Sequence, residues 1–420
     1  MNSVWLAGGI FLITYALIVT ERVHRTVSAL LGGVAMILLG VLPQEQAFGA
    51  VDWNVIFLLA GMMALANILR ETGLFQWIAV QAVRLGRGDP FRIMLILSLV
   101  TAVSSALLDN VTIVVLVAPV TLLVAASLRV SPLPFLIAEI LASNIGGTAT
   151  LIGDPPNILI GSAANIDFLT FAANLAPISL VILVAFIGLS WFLFRDDLRP
   201  GAGRSLDVDA LETDALITDR RLMVKSLIAM GGVVVGFLLH GPLHLEPATI
   251  ALTGATVLLL WTGRDPHHVL REIEWTTLFF FFGLFITVEA VVQVGLIETV
   301  AAGALRLTGG DLALTSTLLL WLSAVASGIV DNIPYTATMI PVVESLGQVM
   351  PVDPLWWSLA LGACLGGNAT LVGASANVVV ASLAERSGHA ISFGQFLKYG
   401  LITTGMSLVL ATGYVWLRYL

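Results

Sequence analysis

The string Gly146-Gly147-Thr148-Ala149-Thr150-Leu151-Ile152-Gly153-Asp154-Pro155-Pro156-Asn157, GGTATLIGDPPN, returns 220 residues later as GGNATLVGASAN (366–377). Glycine and proline both interrupt an α-helix, and each string lies inside a long apolar stretch, 133–164 or 355–384. Each therefore marks a helix broken part-way along. Outward from these strings the correspondence continues at an offset of 222: Trp53 matches Trp275, Gly61 matches Gly283, Gly73 matches Gly295, Ser105 matches Ser327, Asp109-Asn110 matches Asp331-Asn332, and Pro119 matches Pro341. Self-similarity at a nearly fixed period identifies a duplicated structural unit.

Composition identifies the solvent. Of 420 residues, 58% are hydrophobic and 11% charged, whereas a water-soluble domain carries roughly 25% charged residues. Much of the surface must face lipid. A crossing helix needs about 20 apolar residues, and candidate spans lie near 4–20, 27–42, 53–70, 91–107, 111–128, 133–164, 172–194, 223–240, 247–262, 275–294, 312–330, 334–350, 355–384 and 399–418. The polar, acidic stretch 195–222 is a linker between a first repeat, 1–194, and a second, 223–420. The formal charge of -8 says little about partners, because the acids sit in short loops, in one polar linker and inside hydrophobic segments; nucleic acid is not an expected ligand, and the single cysteine, Cys364, excludes a disulfide framework.

Basic residues favour the cytoplasmic side of short loops. With Met1 outside, and with 91–107/111–128 and 312–330/334–350 drawn as re-entrant hairpins, Arg22, Arg25, Arg84, Arg87, Arg92, Arg129, the linker's basic residues, Arg264, Arg271, Arg386 and Lys398 fall inside. Only Arg306 and Arg418 fall outside. Each half then has five spans plus a hairpin, and an odd number of spans inverts the second copy. The expected fold is an all-α polytopic membrane protein of two inverted-topology repeats, each with about five transmembrane helices, a re-entrant hairpin and a discontinuous helix. The expected location is a bacterial inner (plasma) membrane, with both termini outside and the 195–222 linker cytoplasmic.

The hairpins read SSALLDNVTIVVLVAP (104–119) and ASGIVDNIPYTATMIP (326–341), each placing an Asp-Asn pair between apolar arms. Non-helical backbone survives at membrane depth only where protein buries it or a cavity lines it, so the two tips and two breaks are expected around one midplane cavity. Asp109, Asp154 and Asp331 are candidate proton or ion carriers, since an intramembrane carboxylate is costly and by default functional. Asn110, Thr148, Thr150, Asn157, Asn332, Asn368, Thr370 and Asn377 are candidate cargo ligands, offering amides and hydroxyls beside freed backbone. Asp154 has no counterpart, because DPPN (154–157) becomes ASAN (374–377), which points to an asymmetric role there. Glu139, Glu289, Glu344 and Cys364 are weaker candidates, and His240, His244, His267 and His268 lack metal-site spacing. No cofactor and no enzyme activity are expected: nucleotide-binding, HExxH and GxSxG motifs are absent.

SNIGGTATLIGDPPNILI (143–160), LLDNVTIVVLVAP (107–119) and TERVHRTVSALLGG (20–33) resemble the ArsB/NhaD-type branch of the ion-transporter superfamily, along essentially the whole chain. That branch holds arsenite permeases, sodium/proton antiporters and the melanosomal P protein, with dicarboxylate and citrate carriers more distant. The resemblance implies two inverted repeats with a site between them. In the dicarboxylate relatives the tips carry Ser-Asn-Thr and help bind sodium; here they read Asp109-Asn110-Val111 and Asp331-Asn332-Ile333. The acids suit proton exchange or a neutral or cationic cargo better than a dicarboxylate.

The leading expectation is export of arsenite or antimonite in exchange for protons. A sodium/proton antiporter of the NhaD type comes second. A carboxylate-anion carrier is third, disfavoured because no basic residue is expected near the breaks. A soluble ATPase partner and a homodimer are both compatible with the sequence, and the inverted repeat favours a carrier over a channel.

Overall fold

The computed structural model describes residues 2–20, 22–195, 197–198 and 216–420, and these form twenty helices. The first half contains α1 (Asn2–Thr20), α2 (Arg25–Leu38), α3 (Gln44–Gly49), α4 (Trp53–Arg70), α5 (Leu74–Leu85), α6 (Pro90–Ser105), α7 (Asn110–Leu128), α8 (Leu133–Gly147), α9 (Pro155–Ala163) and α10 (Phe168–Phe194). The second half repeats that order: α11 (Arg220–Leu243), α12 (Pro247–Thr262), α13 (Pro266–Arg271), α14 (Trp275–Gln293), α15 (Leu296–Thr308), α16 (Leu312–Val330), α17 (Asn332–Leu346), α18 (Asp353–Gly366), α19 (Ser375–Arg386) and α20 (Phe393–Tyr419). Eight of these are long and apolar enough to cross a membrane, among them α1, α4, α10, α14 and α20. The chain is thus an all-helical polytopic membrane protein built from two copies of a ten-helix unit.

Local chemistry sets the boundaries. Asp89 and Asp311, at equivalent positions, cap α6 and α16 by accepting from Arg92 N–H (2.9 Å) and Leu314 N–H (2.8 Å). Gly73 and Gly295, at φ +78° and +77°, turn the chain into α5 and α15, a left-handed conformation that a side chain would strain. The two expected apolar stretches 133–164 and 355–384 are each divided, into α8 with α9 and α18 with α19.

Four elements were not expected: α3, α5, α13 and α15. None is long and apolar enough to cross. Both α5 and α15 bury one side, through Phe75, Ala79, Ala82 and Val83 in one and Ile297 and Ala301 in the other. They pack against α7 and α17, the returning hairpin arms.

The central helices cross at matched glycines. α14 packs on α2 at Gly283, and α4 packs on α12 at Gly61. A Cβ at Gly283 would stand 2.5 Å from the carbonyl carbon of Ala29, and one at Gly61 2.8 Å from that of Ala251. Backbone cannot yield as a side-chain end can, so these crossings require glycine.

The expected linker, 195–222, lies largely outside the described residues. Its end reappears against the α4–α5 turn, where Thr218 donates through its N–H to Thr72 O (3.1 Å) and through its hydroxyl to Glu71 O (2.6 Å). This linker side also carries Arg70, bound to Glu272 at 2.7 Å, and Arg264, bound to Glu71 at 3.2 Å. The hydrogen bond from Arg70 holds the Glu272 carboxyl below its ordinary range.

Gly283→Val should lower the detergent-solubilised melting temperature by several degrees, since overpacking a tight contact costs about 1–3 kcal/mol. Gly8→Ala, where a Cβ meets nothing within 4 Å, should leave it unchanged. Thermal unfolding of the two variants checks both.

Candidate functional site

Between α8 and α9, and again between α18 and α19, the chain leaves the helix in the middle of the protein, where exposed carbonyls find no water. A carboxamide from the following helix closes each gap. Asn157 Nδ2 donates to Gly147 O (3.0 Å) and Thr150 O (2.9 Å); Asn377 Nδ2 donates to Gly367 O (2.7 Å) and Thr370 O (2.9 Å).

Each hairpin tip is fastened to its own break. Asn110 N–H donates to Gly153 O (3.1 Å) while the Thr150 hydroxyl donates to Ala106 O (2.5 Å). In the other half Asn332 N–H donates to Gly373 O (3.2 Å) and the Thr370 hydroxyl to Gly328 O (2.5 Å). Tip and break therefore form one body in each half.

The two bodies meet through side-chain hydrogen bonds. Asn144 Nδ2 donates to Asn377 Oδ1 and Asn368 Oδ1, both at 2.9 Å. Its counterpart at the 220-residue offset is Cys364, whose thiol donates to Asn157 Oδ1 at 3.2 Å. The same position in each half thus reaches the gap-closing asparagine of the other. Asn332 Nδ2 spans both oxygens of Asp154, at 3.2 and 3.1 Å. Asn110 Nδ2 donates to Asn144 Oδ1 (3.1 Å), and Asn110 Oδ1 is buried with no partner.

The three aspartates differ. Asp109 caps α7 through Thr112 N–H (3.0 Å) and also accepts from the Thr112 hydroxyl. Asp331 occupies a strained backbone at φ +87°, against -61° for Asp109. Its carboxylate accepts from Ile333 N–H (3.0 Å), the Ser375 hydroxyl (2.9 Å) and the Arg25 guanidinium (3.4 Å). Arg25 also donates to Ser375 and lies over the Phe280 ring, 5.6 Å from its centre. Asp154 is 1% exposed, and the charges in its field are the carboxylates of Asp331 and Asp109. Glu274, which begins α14, lies within electrostatic reach of Asp109 and Arg25.

All eleven residues singled out in the sequence belong to these tips and breaks. Several are already engaged, however: Thr150 and Thr370 hold the tips, and the Thr148 hydroxyl bonds back to Asn144 O at 2.7 Å. One expectation is overturned. A basic residue does stand at a break, because Arg25, read as a loop cation, reaches the start of α19. Arg25, Asn144 and Ser375 were missed; the alignment of Asn144 with Cys364 was the available signal for one of them. Glu139 lies apart and accepts from Thr121 (2.5 Å), Glu289 accepts from Gln293 one turn along its own helix, and no cluster of metal ligands exists among the described residues.

Residues 15–362 match the protein family described as CitMHS, citrate transporter. A Mycobacterium tuberculosis protein described as an uncharacterized transporter is 47% identical over 99% of this chain and 98% of its own length. The human P protein is 35% identical over 99% of this chain and 60% of its own. The crystal structure of the Alcanivorax borkumensis YdaH transporter superposes with a TM-score of 0.61, covering 92% of this chain and 89% of that one at 18% identity, a likeness of fold. The resemblance to the P protein is borne out; the matching family is that of the citrate carriers, placed above as more distant.

Asn377→Ala should orphan two carbonyls, at about 1–3 kcal/mol each, and abolish the folded species in detergent or drop its melting temperature sharply. Asn377→Asp, which keeps the shape but removes the donors, should do the same. Size-exclusion profiles with thermal unfolding read both.

Proposed function

The chain belongs to the citrate-transporter (CitMHS) family, and from that premise we propose that it is a proton-coupled secondary carrier in which Asp154 takes and releases the coupled proton. The observation that carries this reading is the placement of Asp154: 1% exposed, answered by the Asn332 amide and the Cys364 thiol, and within electrostatic reach of the Asp331 and Asp109 carboxylates. A carboxylate so placed is held cheaply only when neutral or paired. Protonating one oxygen turns an acceptor into a donor and breaks part of the Asn332 bridge. Loss of the proton restores it. Proton occupancy therefore sets how firmly the first break holds the second hairpin, which is the linkage an alternating-access carrier needs.

For cargo we propose a small neutral polyhydroxylated solute of the arsenite or antimonite type, exported in exchange for protons, as in the ArsB/NhaD-type branch. Amides, hydroxyls and the Cys364 thiol surround the crossing, and As(OH)3 presents hydroxyls for the first two and a thiophilic centre for the third. A second reading, a carboxylate-anion carrier, gains support from Arg25 at the second break and from the family's description. Sodium/proton exchange on the same aspartates is the further alternative. The bacterial inner membrane, with the linker cytoplasmic and both termini outside, is the proposed location.

Liposomes loaded with a pH-sensitive dye discriminate among these readings. Arsenite or antimonite should evoke proton movement and sodium should not; a response to citrate with none to arsenite would move the assignment to the carboxylate reading. Asp154→Asn should cut the proton flux by at least about tenfold while the protein stays folded. Full proton coupling in that variant would remove Asp154 from the role.

A further inference from the structure

Two openings lead toward the site, and they occupy equivalent places in the two halves. On the linker side a cleft at Ile18, Val19, Arg25, Phe280 and Asp331 has almost no free volume, about 10 Å³. On the far side a cavity of about 420 Å³ is lined by His240, Gly241, Pro247 and Leu58, together with Leu151 and Ile158 around the first break. At the 222-residue offset, Ile18 corresponds to His240, Val19 to Gly241, Arg25 to Pro247 and Leu58 to Phe280. The same four positions therefore line both mouths. One mouth is filled and the other is open.

The difference lies in the side chains. Where the open mouth has Pro247 and Leu58, the filled one has a guanidinium stacked on a phenyl ring. That guanidinium bridges α2 to the second hairpin through Asp331 and to α19 through Ser375. The α2 side belongs to the glycine-crossed pair α2–α14, whereas Asp331 and Ser375 belong to the tip-and-break body. Any movement of that body away from α2 must break the ion pair.

We infer that Arg25 is the gate of the linker-side entrance, a positioning residue that closes this path by clamping the strained Asp331 tip and that must release it once per cycle. The inference rests on the carrier reading. It goes beyond it by naming the residue that decides from which side the site is reached. Proline at the equivalent position cannot clamp Asp109, so the far-side mouth has no matching bolt and the two conformations are unequal in energy.

Cys364, the sole cysteine, reports access directly because its thiol touches Asn157 at the first break. A charged, membrane-impermeant methanethiosulfonate is applied to intact cells and to inverted membrane vesicles, so that each face is probed in turn. In the unaltered protein the far face should label faster than the linker face by about tenfold. Arg25→Gln should raise the linker-face rate by a similar factor, Phe280→Ala should act in the same direction, and Arg25→Lys should retain most of the block. Pro247→Arg should slow labelling from the far face. If Cys364 proves unreactive, Val372→Cys, at the linker-side cleft, in a Cys364→Ala background serves as the reporter, and Arg25→Gln and Phe280→Ala should again raise its linker-face rate. Unchanged linker-face rates in well-folded Arg25→Gln and Phe280→Ala would overturn the gate. Labelling requires no cargo, so a protein that moves none of the solutes tested still returns one of these two results.

Discussion

Satisfying the backbone at two helix breaks deep inside the protein is the constraint from which the rest of the architecture follows. In hydrocarbon an unpaired carbonyl costs several kcal/mol, and each break frees several. Asn157 and Asn377 answer two apiece with their amide hydrogens, leaving only their side-chain oxygens unoccupied. Those oxygens then require donors, which only the opposite half supplies: Asn144 for one and Cys364 for the other. Burial of a local irregularity thus generates the contact between repeats. The site is a consequence of finishing the hydrogen bonds, not an addition to a completed fold.

Departures from symmetry carry the functional information, because what the halves share is needed simply to close the breaks. At equivalent positions Asn144 faces Cys364, Thr148 faces Asn368, Asp154 faces Ala374 and Arg25 faces Pro247. A thiol gives one weak hydrogen bond where a carboxamide gives two good ones, so the Cys364 side of the crossing is held more loosely than the Asn144 side. Asp154 reaches over to Asn332, whereas Ala374 offers Asn110 nothing, and the Asn110 oxygen remains unpaired. One diagonal of the crossing is thereby tied and the other slack. A two-state machine needs such an imbalance, since two equally tight diagonals would fix the halves in a single arrangement.

The repeat was legible in the sequence because glycine, proline and Asp-Asn are demanded by backbone geometry at fixed places: Gly73 and Gly295 need a left-handed turn, and Gly61 and Gly283 need room for another helix. The spans were legible because lipid imposes a long apolar run. α5 and α15 were not, since a helix of 12 or 13 residues with one buried side leaves no such run. Arg25 was illegible for a different reason. Its partner lies 306 residues away, and the charge asymmetry that places a loop on one side of the membrane says nothing about how far a long side chain reaches inward. Asn144 sits within an ordinary helical stretch and acquires meaning only beside its counterpart.

Charge balance constrains any cargo. Asp109, Asp154, Asp331 and Glu274 bring an excess of carboxylates to the crossing, and Arg25 lies among them, paired with Asp331. A multivalent anion entering this field adds to an excess it must overcome, and Arg25 can turn to it only by leaving Asp331. Such a cargo would have to bring cations or protons with it, at least enough to neutralise Asp331. A neutral solute bound by hydroxyls and amides makes no such demand: a single proton on Asp154 alters the bridge to Asn332 before the Arg25 pair has to open. The two classes of cargo therefore differ in which bond across the repeats must open first. An anion draws on the ion pair at the linker side, and a neutral solute draws on the carboxylate–amide bridge at the centre.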